Sequence, residues 1–113
     1  MTDRELLELA AKAAGIEVAP HTNAKLSRHT VFTANGKNWN PLTDDGDALR
    51  LAVKLGISIQ CLRAKGYDKT TAVQCQWGGY IVNVGIDEGC SGDPDAAARR
   101  CIVRVAAKIG ERL

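Results

Sequence analysis

The chain has 113 residues, 45% of them apolar and 25% charged, the size and balance of one globular domain rather than of a disordered segment. A chain this long buries roughly two thirds of its unfolded surface, so a core can form without metal or disulfide staples. Its 15 basic and 13 acidic residues leave a formal charge of +2, too balanced for bulk electrostatics to specify nucleic-acid binding.

Thr2-Asp3-Arg4-Glu5 is a capping box that opens a helix carrying Leu6, Leu9, Ala10 and Ala13 at helical spacing. Glu8 and Lys12 are spaced to pair on its outer side, and Gly15 stops it. Ile16-Glu17-Val18 reads as a short strand ended by Pro20, and residues 22–28 as an exposed loop or an edge. Val31-Phe32-Thr33, the turn pair Asn35-Gly36 and Lys37-Asn38-Trp39 predict a β-hairpin, because Asn-Gly supplies both positive φ angles of a type I′ turn.

Pro41 ends that strand. Thr43 is the expected cap of a second helix, with Asp44, Asp45 and Asp47 placed favourably against its dipole. Residues 48–55 are apolar apart from Arg50 and Lys54, so this helix is expected to be well buried, and Gly56 caps it. Residues 57–62, 70–77 and 80–86 predict a three-strand meander, with Gly78-Gly79 as a two-residue turn. Tyr80, Val82, Val84 and Ile86 should face one way and Ile81, Asn83 and Gly85 the other. Asp93 and Pro94 start a closing helix to about Glu111, whose apolar stripe is Ala98, Cys101, Ile102, Val105 and Ile109. The class is therefore α+β: a single antiparallel sheet, hairpin plus meander, covered by three helices in the order α-β-β-α-β-β-β-α.

The start of the chain shows no export signal and no apolar run reaches membrane-spanning length, so a reducing cytoplasm and no membrane association are expected. The four cysteines contain no C-x-x-C and no nearby histidine pair, so neither zinc nor a disulfide is expected. Cys61, Cys75 and Cys101 read as small buried hydrophobes and Cys90, in a glycine-flanked loop, as the accessible thiol.

Several groups could carry function, each with a purely structural alternative. Arg100, Arg104, Lys108 and Arg112 recur every fourth residue beside Arg99, a like-charge line that invites an anionic partner or is simply a solvated face. Arg63, Lys65 and Lys69 surround Tyr67, offering phosphate contacts and a stacking ring or forming an ordinary hairpin loop. Trp77 and Tyr80 flank the Gly78-Gly79 turn as an interface anchor or as a cross-strand pair under a helix. The aspartates at 44, 45 and 47 lack the alternating oxygens and distal glutamate of a calcium loop, and helix-start electrostatics account for them. The acidic run Asp87, Glu88, Asp93 and Asp95 reads the same way, since its last two members start a helix. His21 and His29 lie near no nucleophile motif, and no phosphate-binding glycine loop is present, so neither catalytic residues nor a cofactor are assigned.

The first helix ending Ala13-Ala14-Gly15, the segment Trp39-Asn40-Pro41-Leu42 leading into residues 48–56, and the helix around Arg99-Arg100-Cys101-Ile102 resemble the phage ABA-sandwich domain family. Residues 20–32 depart from that pattern. The resemblance implies an antiparallel sheet between helical layers and a phage or prophage protein acting in the bacterial cytoplasm; it implies no catalytic residues. Together with the residue reading it points to a non-enzymatic accessory protein that binds a host protein, such as part of a defence or regulatory system. The alternative is a protein that sequesters a nucleotide or signalling ligand, and a homodimer is open in either case.

Overall fold

The computed structural model describes residues 2–20, 32–34 and 37–113. Among them the order is α1 (Asp3–Ala14), β1 (Ala19–Pro20), β2 (Phe32–Ala34), β3 (Lys37–Trp39), α2 (Asp45–Leu55), β4 (Ser58–Leu62), β5 (Ala72–Trp77), β6 (Tyr80–Gly85) and α3 (Pro94–Glu111). The α+β class and the order of helices and strand groups hold. The single sheet does not: β1, β2 and β3 form one antiparallel sheet, and β4, β5 and β6 form another. The Asn35-Gly36 turn, the 22–28 segment and both histidines lie outside the described residues.

Local chemistry fixes the helix ends. The Thr2 hydroxyl accepts from the Glu5 amide at 3.2 Å, and Gly15 and Gly56 close α1 and α2 in the left-handed conformation at φ 69° and 71°. Asp93 caps α3 with Pro94 behind it. Two local expectations are corrected. Glu8 pairs with Arg4 at 3.1 Å rather than with Lys12. Asp44, not Thr43, caps α2, its carboxylate accepting from the Asp47 amide at 2.8 Å. Ionised oxygen makes the stronger bond to an amide, and the Thr43 hydroxyl is directed to the Asn40 carbonyl instead.

The core centres on α3. Cys101, Val105 and Ile109 are buried as expected, but so are Val103, Ala106, Ala107 and Gly110. The reason is position: α3 packs on β5 and β6 with one side, and on α1 and α2 with others. At Gly110 a methyl group would overlap the backbone carbonyl of Leu9, so glycine is what lets α1 and α3 approach so closely.

The layering is therefore sheet, then α3, then α1 with α2. Among the described residues only α3 covers the meander directly, while the other two helices back it. On the opposite sheet face Ser58, Gln60, Gln76 and Asn83 are exposed, so no helical layer covers it among the described residues. An antiparallel sheet enclosed between two helical layers, as the resemblance implied, is not the arrangement found. The expectation that α2 is well buried is also corrected: Leu51 is buried, but Leu49 and Val53 are 60% and 74% exposed on the outer side.

Candidate functional site

The basic line of α3 is largely engaged inside the molecule. Arg99 is only 16% exposed in its side chain; it donates to Asp45 at 2.6 Å and to the Leu42 carbonyl at 2.9 Å, and approaches Asp93 at 3.9 Å. It ties α3 to the turn before α2 and to the first residue of α2. Arg100 holds Asp3 at 3.3 Å with its side chain 29% exposed, joining α3 to the start of α1. Lys108 pairs with Glu111 at 3.5 Å and its amine lies 5.8 Å from the Tyr80 ring centre. Arg104 and Arg112 are exposed. The N-terminal members of the stripe, Arg99 and Arg100, are thus interhelical clamps, Lys108 pairs within α3, and Arg104 and Arg112 face solvent.

The loop between β4 and β5 has the opposite character. Arg63, Lys65, Tyr67 and Lys69 are all exposed, with Tyr67 64% accessible. None of the three cations takes part in an ion pair among the described residues. The Thr71 hydroxyl holds the loop's base, accepting from the Ala64 amide at 3.0 Å. The Tyr67 amide donates to the Ala64 carbonyl at 3.0 Å, making a turn inside it. Three unpaired cations and an aromatic ring thus project from the end of the sheet on an ordered base.

Trp77 and Tyr80 stand opposite each other across the hairpin, as their spacing required. Both are half-buried and pack against the core cluster beneath α3. The structural alternative describes them: a cross-strand aromatic pair under a helix.

Two cysteine expectations are exchanged. Cys61 is exposed, because β4 is an edge strand that α3 scarcely reaches. Cys90 is buried, its thiol 3.5 Å from the Glu88 carbonyl. Cys75 and Cys101 are buried side by side, with the Cys101 sulfur 3.3 Å from the Val82 carbonyl. A hydrogen bond from the Cys75 thiol to the Cys101 sulfur and burial together push the Cys75 thiol far above its ordinary range, so it stays protonated. All four are free thiols.

The aspartates at the start of α2 are all engaged. Asp44 caps the helix, Asp45 holds Arg99, and Asp47 accepts from the Asn40 amide at 2.9 Å and from Arg50 at 2.7 Å. Among the described residues no group of three potential metal ligands converges. Asp47 and Arg50 line a cleft of about 480 Å³ beside Trp39, and a second cleft of about 230 Å³ lies between α2 and α3 over Ala48, Ala98 and Ile102. Sequence reasoning missed both. The only signal for the second was the small side chain at 48 and again at 98, which leaves a gap where the two helices pack.

No helix among the described residues is long and apolar enough to cross a membrane. Comparison with protein-family models, curated proteins and solved structures finds no match to this chain.

Proposed function

We propose that this protein acts by binding, and that its β4–β5 loop engages an acidic surface on a partner protein. The observation that carries the reading is the contrast between the two basic groups. On α3, Arg99 and Arg100 are committed to ion pairs with other helices and Lys108 to Glu111 of its own helix, leaving only the separated Arg104 and Arg112 exposed. Arg63, Lys65 and Lys69 instead stand exposed together around Tyr67 without an ion pair among the described residues. Unpaired cations steer an anionic partner by long-range attraction, and an exposed tyrosine supplies contact area at small entropic cost. The biological setting we propose is a phage or prophage accessory protein in the bacterial cytoplasm with a host protein as its partner. That setting is supported by the resemblance around Trp39-Asn40-Pro41-Leu42 alone.

The second reading, a nucleotide or signalling ligand held at the same loop, is favoured by the 64% exposure of Tyr67 beside three cations, a ring open for stacking. One series of experiments separates the two. A partner isolated from host lysate is purified, and its affinity is measured for the wild type and for the Arg63→Glu, Lys65→Glu, Lys69→Glu triple variant. Loss of binding in the variant, and weakening of wild-type binding as salt shortens the screening length, is expected. Binding that survives the triple reversal sinks the loop as the site. For the ligand reading, nucleotides at about 100 times their dissociation constant would raise stability by about 2.7 kcal/mol, and the triple variant would lose that gain.

A further inference from the structure

We propose that the free edge of β4 is a self-pairing surface, through which two copies of this chain join their meanders into one six-stranded antiparallel sheet. Among the described residues β4 is an edge strand paired only to β5, and its sequence Ser58-Ile59-Gln60-Cys61-Leu62 contains no charge and no proline. Natural edges are usually blunted by such residues, by bulges or by a covering element. Among the described residues nothing covers this one. Ile59 (40% exposed) and the exposed Cys61 lie on the same sheet face as buried Val73 and Cys75, but at the margin that α3 scarcely reaches. They form an uncovered apolar margin of the core face. The other edge differs: on β6 the corresponding Val82 and Val84 are already buried, so a strand added there would hide little more apolar surface.

The strand is also complementary to itself. Gly78-Gly79 is a two-residue turn, so its closing pair Trp77–Tyr80 is a hydrogen-bonded pair, and alternation makes Cys75–Val82 and Val73–Val84 hydrogen-bonded as well. The amides and carbonyls of Ala72, Gln74 and Gln76 are then directed to Leu62, Gln60 and Ser58. Those of Ile59 and Cys61 are left pointing outward. Antiparallel pairing about Gln60 sets Ile59 opposite the partner's Cys61, and the reverse, which are the residues with free backbone groups. About four backbone hydrogen bonds form, and the two apolar pairs cover each other. On the opposite face the row Asn83–Gln74–Gln60 meets its own image, giving a continuous line of amides across both subunits. No like charges oppose each other anywhere along the strand. The two 63–69 loops then project from opposite ends of the new ribbon, about 20 Å apart at 3.3 Å per residue, so a dimer presents them to a partner as a pair. The self-pairing itself does not depend on what those loops bind.

Three measurements on the full chain test this. Light scattering across a dilution series should show a mass that rises twofold to a dimer. A Cys61→Lys variant, and separately Ile59→Lys, should stay monomeric with an unchanged circular dichroism spectrum. Third, Gln60→Cys in a Cys61→Ser background should cross-link to its own copy on mild oxidation. A non-hydrogen-bonded pair sits about 4.5 Å apart between Cα atoms, within disulfide reach. Gln76→Cys in the same background, on an interior strand, should not cross-link. A wild type that is monomeric at every concentration overturns the proposal. So does a dimer that persists in both lysine variants and fails to cross-link at position 60, because such a dimer uses another surface.

Discussion

Gly110 of α3 lies directly against the backbone carbonyl of Leu9 in α1, with no room for a side chain between them. The contact sets the distance between the helix at the heart of the core and the helix that backs it. In an open helix alanine would be better than glycine by about 1 kcal/mol. Here the obstacle is backbone, which cannot swing aside, so the clash wins. Gly110→Ala should destabilise by about 1–3 kcal/mol, read as a fall in urea midpoint with unchanged m value. A stabilised variant would mean that the helices are further apart than described.

Arg99 and Arg104 are both on the basic line of α3, yet they should respond differently to truncation. Arg99 bonds a carboxylate and a backbone carbonyl across two elements with little solvent contact, so Arg99→Ala should cost about 1.5–3 kcal/mol. Arg104 is exposed, and Arg104→Ala should stay within about 0.5 kcal/mol. Equal losses in chemical denaturation would contradict this division.

Leu51 and Val53 test how α2 is seated. Leu51 is buried in the core, and Leu51→Ala should cost about 2–5 kcal/mol. Val53 is mostly solvent-exposed, so Val53→Ala should change stability by less than about 0.5 kcal/mol. A large loss at Val53 would show that its side of α2 is covered in solution.

The cysteines give a chemical readout. In the folded protein at neutral pH, diluted until it is monomeric, a maleimide should modify Cys61 quickly and leave Cys75, Cys90 and Cys101 unreacted until denaturant is added. Mass mapping of the first labelled peptide decides it; early labelling of Cys90 instead would place its loop open.

Cys75 also sets a pH dependence. Its folded pKa lies above its ordinary 9.0, so its contribution to stability is fully present below about that pH. As pH rises further, the unfolded chain loses a proton that the folded protein keeps, and stability falls. Thermal melts from pH 7 to 10 should show a decline that is shallower in Cys75→Ala than in the wild type. Parallel slopes in the two proteins would remove Cys75 as a cause.

Much of the fold was legible residue by residue, because helix ends and strand faces are written by near neighbours. Thr2 with Glu5, Gly15, Gly56 and Asp93 with Pro94 each act within one turn, and their caps are where the spacing placed them. The alternation of Val82 and Val84 against Ile81 and Asn83 likewise fixed which side of β6 meets the core. The candidate site was legible only as a set of residue types. Arg99 and Arg100 look as free in the sequence as Arg63 and Lys65, but their partners are 54 and 97 residues away, and only chain folding brings Asp45 and Asp3 to them. The same long-range packing exposed Cys61, buried Cys90 and left one face of the meander without a helical layer among the described residues. It depends on where α3 lies across the strands, and no local pattern encodes that. Residue chemistry determined what each segment could become, and tertiary contact decided which charges, edges and thiols remained available to a partner.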